Sequence, residues 1–393
     1  MDYSQFSLEE LKQARATLDE AAYPERVNTL DKLIAEAEQQ HQSLDVETLV
    51  AESGRSVPVK FHGNTREFFS IWIVNLLLTI VTLGVYSAWA KVRTNRYFYG
   101  NTEIDGHRFS YLAEPMQILI GRAVAVTLFA AYFILSSLYP LAGGILALVL
   151  VVLTPFFVVM SYRFKMRMTA YRNVRFRFEG SYGRAFVIFV LLPFASVFTL
   201  YTILPIVLKK IDEFILSETG FGDRKFKPQL STAEYFGTGI SAVAIGLGIF
   251  FAGGIVIAIL VALVAENKEA VSAVMMLVFG MYLIAFAVSS GFYTARIRNH
   301  IFAVTELSGV ARFESQVEVK ELIWLRMSNV LAIVVSLGFA IPWVKIRTAN
   351  FYAGATYVTI SNGIEDVVDT NTDTQGALGD EAATLFDVDI ALG

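Results

Sequence analysis

Seven apolar runs, at about 68–90, 118–138, 143–162, 185–207, 237–264, 271–294 and 327–344, constrain this chain more than any other feature. A helix needs about 20 apolar residues to cross roughly 30 Å of hydrocarbon, so runs of this length and number point to a membrane protein. Composition agrees: only 17% of the 393 residues are charged, against about 25% in soluble domains. Mean hydropathy is +0.52.

Charge is partitioned along the chain. Residues 1–67 hold 7 Lys/Arg and 13 Asp/Glu, and residues from 360 onward hold 8 Asp/Glu and no cation. The section between them has 25 cations and 15 anions. Its basic clusters sit at the ends of apolar runs, as cytoplasmic loops of membrane proteins do, which sets nucleic-acid binding aside. Loop 208–236 carries Lys209, Lys210, Arg224, Lys225 and Lys227, and loop 295–326 carries Arg296, Arg298, Arg312 and Lys320. Seven full crossings would put these loops opposite the other basic loops. One arrangement keeps every basic loop in the cytoplasm: the first, fourth and seventh runs enter and leave on one side, and the other four form two crossing hairpins. Six or seven spans remain the alternative.

The first run recurs. Arg66–Gly100 aligns without a gap on Lys320–Gly354 at an offset of 254, with Glu67/Glu321, Asn75/Asn329, Leu83/Leu337, Gly84/Gly338, Trp89/Trp343, Lys91/Lys345 and Arg93/Arg347 identical. A weaker copy over 184–220 matches Arg66, Phe68 and Lys91 to Arg184, Phe186 and Lys209 at an offset of 118. Duplication of one unit is the expected origin. Between the apolar runs, Tyr97–Phe109 with its Asp105-Gly106 turn, Arg175–Ser181, Phe221–Phe226, Thr305–Phe313 and Tyr357–Gly363 alternate like short strands around turns. Small cytoplasmic β-hairpins, pairing into a small sheet, are expected there.

The amino-terminal segment 1–41 predicts a soluble helical hairpin, opened by the capping box at Ser7–Glu10 and broken at Pro24. Residues 42–62 read as a linker and a short strand, 63–359 as the membrane body, and 360–393 as an acidic, flexible tail. The fold class expected is mainly α: a polytopic helical membrane protein with internal repeats, re-entrant or interfacial segments and small β-hairpins. Both termini are expected in the cytoplasm.

Gly63-Asn-Thr-Arg-Glu-Phe-Phe69, Thr82–Arg93 (TLGVYSAWAKVR) and Tyr97-Phe-Tyr-Gly-Asn-Thr102 resemble the YjgN-like bacterial inner-membrane proteins, grouped under a domain of unknown function. The resemblance covers roughly 57–363. Members usually carry Pro before the Trp of this motif; Pro342 keeps it here, and Ala88 replaces it in the first copy. The resemblance implies a Gram-negative inner membrane, and brings no activity and no catalytic residues.

Candidate sites follow from polar residues in apolar surroundings. Asn75, Asn329 and Arg122 are candidates for internal hydrogen bonding or for lining a membrane path. Trp89, Lys91, Arg93, Trp343, Lys345 and Arg347 are candidate interfacial contacts to lipid headgroups or anions. Gly246, Gly248, Gly253 and Gly254 suit close helix packing. The four His residues, at 41, 62, 107 and 300, lack metal-ligand spacing, there is no Cys, and no catalytic motif is present. No cofactor and no enzymatic activity are therefore expected. Membrane lipids are the expected partners, and the tail could dock on a protein partner or on the chain's own basic face. Transport or channel-like handling of a small solute or lipid is the expected function. A structural or regulatory membrane protein, binding partners through its basic face and acidic ends, is the alternative.

Overall fold

The computed structural model describes residues 11–12, 30–34, 54–264 and 268–369, and the chain divides into two units, Met1–Arg55 and Ser56–Gly393. In the first, the described residues 11–12 and 30–34 are helical, and Leu11 and Leu30 are buried. The rest of the expected hairpin over 1–41, most of the linker and the tail beyond 369 lie outside the described residues.

In the second unit, helical hairpins alternate with pairs of strands. The helices are α1 (Thr65–Val81), α2 (Ser87–Gly100), α3 (Pro115–Leu138), α4 (Pro140–Arg167), α5 (Tyr182–Phe198, with a π-helical stretch at Val187–Leu191), α6 (Leu204–Ser217), α7 (Thr232–Leu263), α8 (Lys268–Ala303), α9 (Val319–Val335) and α10 (Ile341–Gly354). Their starts follow local rules. The Asn64 side chain accepts from the Arg66 amide at 2.8 Å, Ser231 accepts from the Glu234 amide, and Pro115, Pro140, Pro205 and Pro342 occupy first turns, where no N–H is needed. Among the described residues, four helices are long and apolar enough to cross a membrane: α3, α4, α7 and the Met276–Ala303 part of α8. The α1–α2, α5–α6 and α9–α10 hairpins are shorter. At 1.5 Å per residue, the 17 residues of α1 extend about 25 Å, less than the hydrocarbon thickness.

The three short hairpins turn in the same way. Gly84, Tyr201 and Gly338 each donate a backbone hydrogen bond to a carbonyl five residues back (Thr79, Ser196 and Ile333), at 2.7–2.8 Å. Each sits in the left-handed region, directly after a left-handed Leu83, Leu200 or Leu337. Those leucines are 95%, 86% and 89% exposed. The boundaries of α5 and α6 lie 117 residues after those of α1 and α2. That pairing sets Phe68 against Ala185 and Ala88 against Pro205, one residue off the 118 read from the sequence. In the long α7–α8 hairpin, Gly246 and Gly253 face Ser289 and Met281, while Gly248 and Gly254 face open space. Only half of the glycine face expected from the sequence is used for packing.

Eleven strands form one sheet: β1 (Arg55–Pro58), β2 (Lys60–Phe61), β3 (Thr102–Ile104), β4 (His107–Tyr111), β5 (Thr169–Tyr171), β6 (Val174–Phe178), β7 (Thr219–Phe221), β8 (Arg224–Pro228), β9 (Thr305–Leu307), β10 (Ala311–Ser315) and β11 (Thr356–Ile360). The order is β1-β11-β10-β9-β8-β7-β6-β5-β4-β3-β2. Because β1 and β2 are consecutive in the chain, separated only by Val59, the sheet nearly closes on itself, and the Val59 amide donates to Thr356 O at 2.9 Å. The strand pairs are thus members of one large sheet rather than a small one. The helices follow the same circuit: α2 packs on α3, α4 on α5, α6 on α7, α8 on α9, and α10 back on α1.

Alternation along the strands sorts the side chains. Phe109, Phe176, Phe226 and Phe313 join Tyr171, Phe221, Leu307 and Val358 in one apolar cluster, while Arg108, Lys225, Lys227 and Arg312 are exposed. Phe176 lies 4.9 Å from Phe221, and Phe226 lies 5.7 Å from Phe313, ring to ring. The chain after β11 adds Ile364 and Val367 to the same cluster. It is fastened by the Val368 amide to Asp223 Oδ1 and by the Arg175 amide to Asp369 Oδ2.

Candidate functional site

Five strands, β3, β5, β7, β9 and β11, each follow a helix and each begin with Thr: Thr102, Thr169, Thr219, Thr305 and Thr356. Four of these hydroxyls donate to the carbonyl four residues earlier, at 2.6–2.9 Å. Each such bond satisfies an orphan carbonyl at the helix end as the chain turns into the strand. The Thr305 hydroxyl is buried with no hydrogen-bond partner among the described residues. Fixing each helix end to its strand fixes which helical residues face inward.

Those residues wall a chamber of about 320 Å³ between helices and sheet, lined by Tyr99, Tyr162, Lys165, Met166, Asp212, Ile215 and Leu216, with Thr169, Phe176 and Ile301. Nearly all stand seven, four or three positions before a strand-opening Thr, so α2, α4, α6 and α8 contribute from the same registers. The volume is at the lower end of small-molecule sites. Its surface is chiefly aliphatic and aromatic, with one carboxylate and one ammonium.

Asp212 is the unusual member. Tyr235, fully buried in α7, donates its hydroxyl to Asp212 Oδ2 at 2.6 Å. Among the described residues no cation lies within ion-pair distance of Asp212, and Lys165 on the same chamber wall does not pair with it. Burial pushes the Asp212 carboxyl above the usual carboxylate range, against a smaller downward pull from the Tyr235 hydroxyl. Outside the chamber, the opposite case holds at Glu179. The hydrogen bond from Lys225 holds that carboxyl below its ordinary value, with Arg177 adding to the effect.

The polar residues singled out from the sequence do not line this chamber. Asn75 is buried and donates to Ala90 O at 3.4 Å, tying α1 to α2, while its Oδ1 has no hydrogen-bond partner among the described residues. Asn329, also buried, donates to Thr348 Oγ1 at 3.1 Å and accepts from Arg347 Nη1 at 3.1 Å, tying α9 to α10. Arg122 bonds the Ser87 hydroxyl, joining α3 to α2. All three make bonds between neighbouring helices.

The two Trp/Lys/Arg sets differ from each other. Trp89 is partly buried and stacks on Tyr86 within its hairpin, Lys91 is partly buried, and Arg93 is exposed. Trp343 and Lys345 are exposed, and Arg347 lies over the Trp343 ring at 5.1 Å while also bonding Ser328 and Asn329. Arg347 is thus occupied inside its own hairpin. The hairpins carrying the two sets meet through Trp72 of α1 and Phe339 in the turn before α10, 6.3 Å apart.

Asp212 escaped sequence reasoning because it follows Lys209 and Lys210 and precedes Glu213. It reads as one charge of a solvated loop. The Thr that opens each strand was the available signal: counting back seven positions from each gives Asn95, Tyr162, Asp212, Arg298 and Ala349 as one inward register.

Comparison with known proteins places the chain. Residues 56–385 match the model of a family described as "Bacterial protein of unknown function (DUF898)". The chain is 29% identical over 347 residues to "Inner membrane protein YjgN" of Escherichia coli O157:H7, covering 76% of this chain and 87% of that one. It is 28% identical to the protein of the same name from Escherichia coli K12, and 25% identical to that from Salmonella typhimurium LT2, with the same shares covered. No solved structure matches. With a family match spanning most of its length, the chain belongs to the DUF898 family of bacterial proteins, whose relatives here are named as inner-membrane proteins.

Proposed function

We propose that this is a multi-pass inner-membrane protein, not an enzyme, that binds a small solute or lipid in the chamber between its helices and its sheet. The observation that carries this is the chamber itself: about 320 Å³, walled from matching registers of four helices and holding an unpaired carboxylate. The α3–α4 and α7–α8 hairpins cross the bilayer. The α1–α2, α5–α6 and α9–α10 hairpins enter and return, their exposed Leu83, Leu200 and Leu337 resting among lipid chains. The sheet and both termini face the cytoplasm, an orientation supported by the outward cations of the strands. The recurring turn of the short hairpins and the 254-residue repeat support an origin by duplication. Beneath the chamber the sheet is filled with packed aromatics, which favours a binding chamber, or a step of translocation through it, over an open pore.

The test is Leu216→Trp. In a packed core an added ring costs about 1–3 kcal/mol, whereas an open chamber accepts it. The expected result is an unchanged thermal midpoint, together with loss of a small molecule that native mass spectrometry detects on the wild type taken directly from membranes. A strongly destabilised variant, or a wild type carrying no bound molecule, contradicts the proposal.

A second role, structural or regulatory, is favoured by the segment after β11, where Val367 is buried against the sheet and Asp369 bonds the Arg175 amide. The acidic tail beyond it would then reach a partner, or compete with one for the basic strands.

A further inference from the structure

The chamber's chemistry is narrower than its size. Asp212 has one hydrogen-bond donor, Tyr235, on Oδ2, and no protein cation at ion-pair distance among the described residues. A carboxylate in such surroundings is costly unless it is paired. The chamber is also lined by Tyr162, Tyr99 and Phe176, aromatic rings of the kind that attract a cation, and by Met166, Ile215, Leu216 and Ile301, which suit an alkyl chain. Lys165, on the same chamber wall, makes no ion pair with Asp212 among the described residues.

Resting on the chamber proposed above, we infer that its ligand carries a primary ammonium group on a short methylene stem, with the ammonium seated on Asp212 and the methylenes among the aliphatic residues. Two sources offer that chemistry. One is a free alkylamine-like solute; the other is a lipid whose headgroup ends in a primary amine. Tyr235 serves as a positioning residue: its hydroxyl holds Oδ2, which leaves Oδ1 for the ligand.

The full-length protein in nanodiscs of phosphatidylcholine and phosphatidylglycerol supplies the test. Thermal midpoints are measured with hexylamine and with hexan-1-ol, which share a stem and differ in the charged group. Hexylamine should bind about tenfold more tightly than hexan-1-ol. Asp212→Asn should erase that preference, and Asp212→Glu, which keeps the charge, should retain part of it. A parallel set of nanodiscs contains phosphatidylethanolamine. If this lipid raises the midpoint of the wild type but not of Asp212→Asn, and hexylamine then adds nothing, the source is a lipid headgroup. If only hexylamine acts, the source is a free solute. Equal shifts with hexylamine and hexan-1-ol, with no effect of phosphatidylethanolamine, overturn the ammonium assignment while leaving the chamber intact. No shift from either stem or from the lipid removes the chamber proposal itself.

Discussion

Asn75 and Asn329 hold the same place in the repeat and are satisfied very differently. Asn329 joins Thr348 and Arg347, and removing it leaves a partly buried guanidinium short of an acceptor. Asn329→Leu should cost about 1–3 kcal/mol. Asn75 makes one long bond and buries an unpartnered Oδ1. Asn75→Leu should therefore change stability by less than about 0.5 kcal/mol, or raise it. Unfolding of the two variants in one detergent compares them directly. Asp212 gives a pH-dependent prediction. Its folded pKa lies above its unfolded value, so the folded state takes up the proton more readily and wild-type stability falls as pH rises through that window. Asp212→Asn should melt above the wild type at pH 7.5, and the gap should close as pH falls towards about 4. A gap that widens on acidification contradicts the buried, unpaired carboxylate. At this scale the sequence was legible where a polar residue interrupted an apolar run, as at Asn75, Asn329 and Arg122. It was opaque at Asp212, whose surroundings come from Tyr235 in another helix.

Among elements, the three short hairpins share one turn but not one residue. Gly84 and Gly338 take the left-handed region at φ 95° and 92°, where a Cβ is strained, while Tyr201 takes it at φ 61°. Tyr201→Gly should stabilise the α5–α6 hairpin by about 1 kcal/mol, and Gly338→Ala should destabilise α9–α10 by a similar amount. Opposite shifts in thermal midpoint are the expected pair; equal signs would show that the turns are not alike. The apolar runs and the Gly turns were readable because period and punctuation are local. Strand alternation was readable for the same reason. Strand partners were not: two- to five-residue strands carry little register information, and closure joins β1 to β11 across some 300 residues.

Across the second unit, helical hairpins follow one another around a nearly closed sheet, and the proposed chamber lies where the two meet. That arrangement explains why charge and hydropathy alternate along the chain. Each apolar hairpin returns to the same side, where a cation-bearing strand pair waits. The sequence hinted at this through its basic loops, but the count of crossings depended on helix lengths that run length alone overstates, since 68–90 and 185–207 each contain a turn. Same-side return of the short hairpins is directly testable, because the sequence has no native Cys. Single cysteines at Leu141, Leu200 and Arg224 are exposed to a membrane-impermeant maleimide on the periplasmic side, before and after the membrane is opened. Leu141→Cys should label from outside, Arg224→Cys should label only after opening, and Leu200→Cys, held among lipid chains, should label in neither case. Labelling of Arg224→Cys or Leu200→Cys from outside would contradict same-side return.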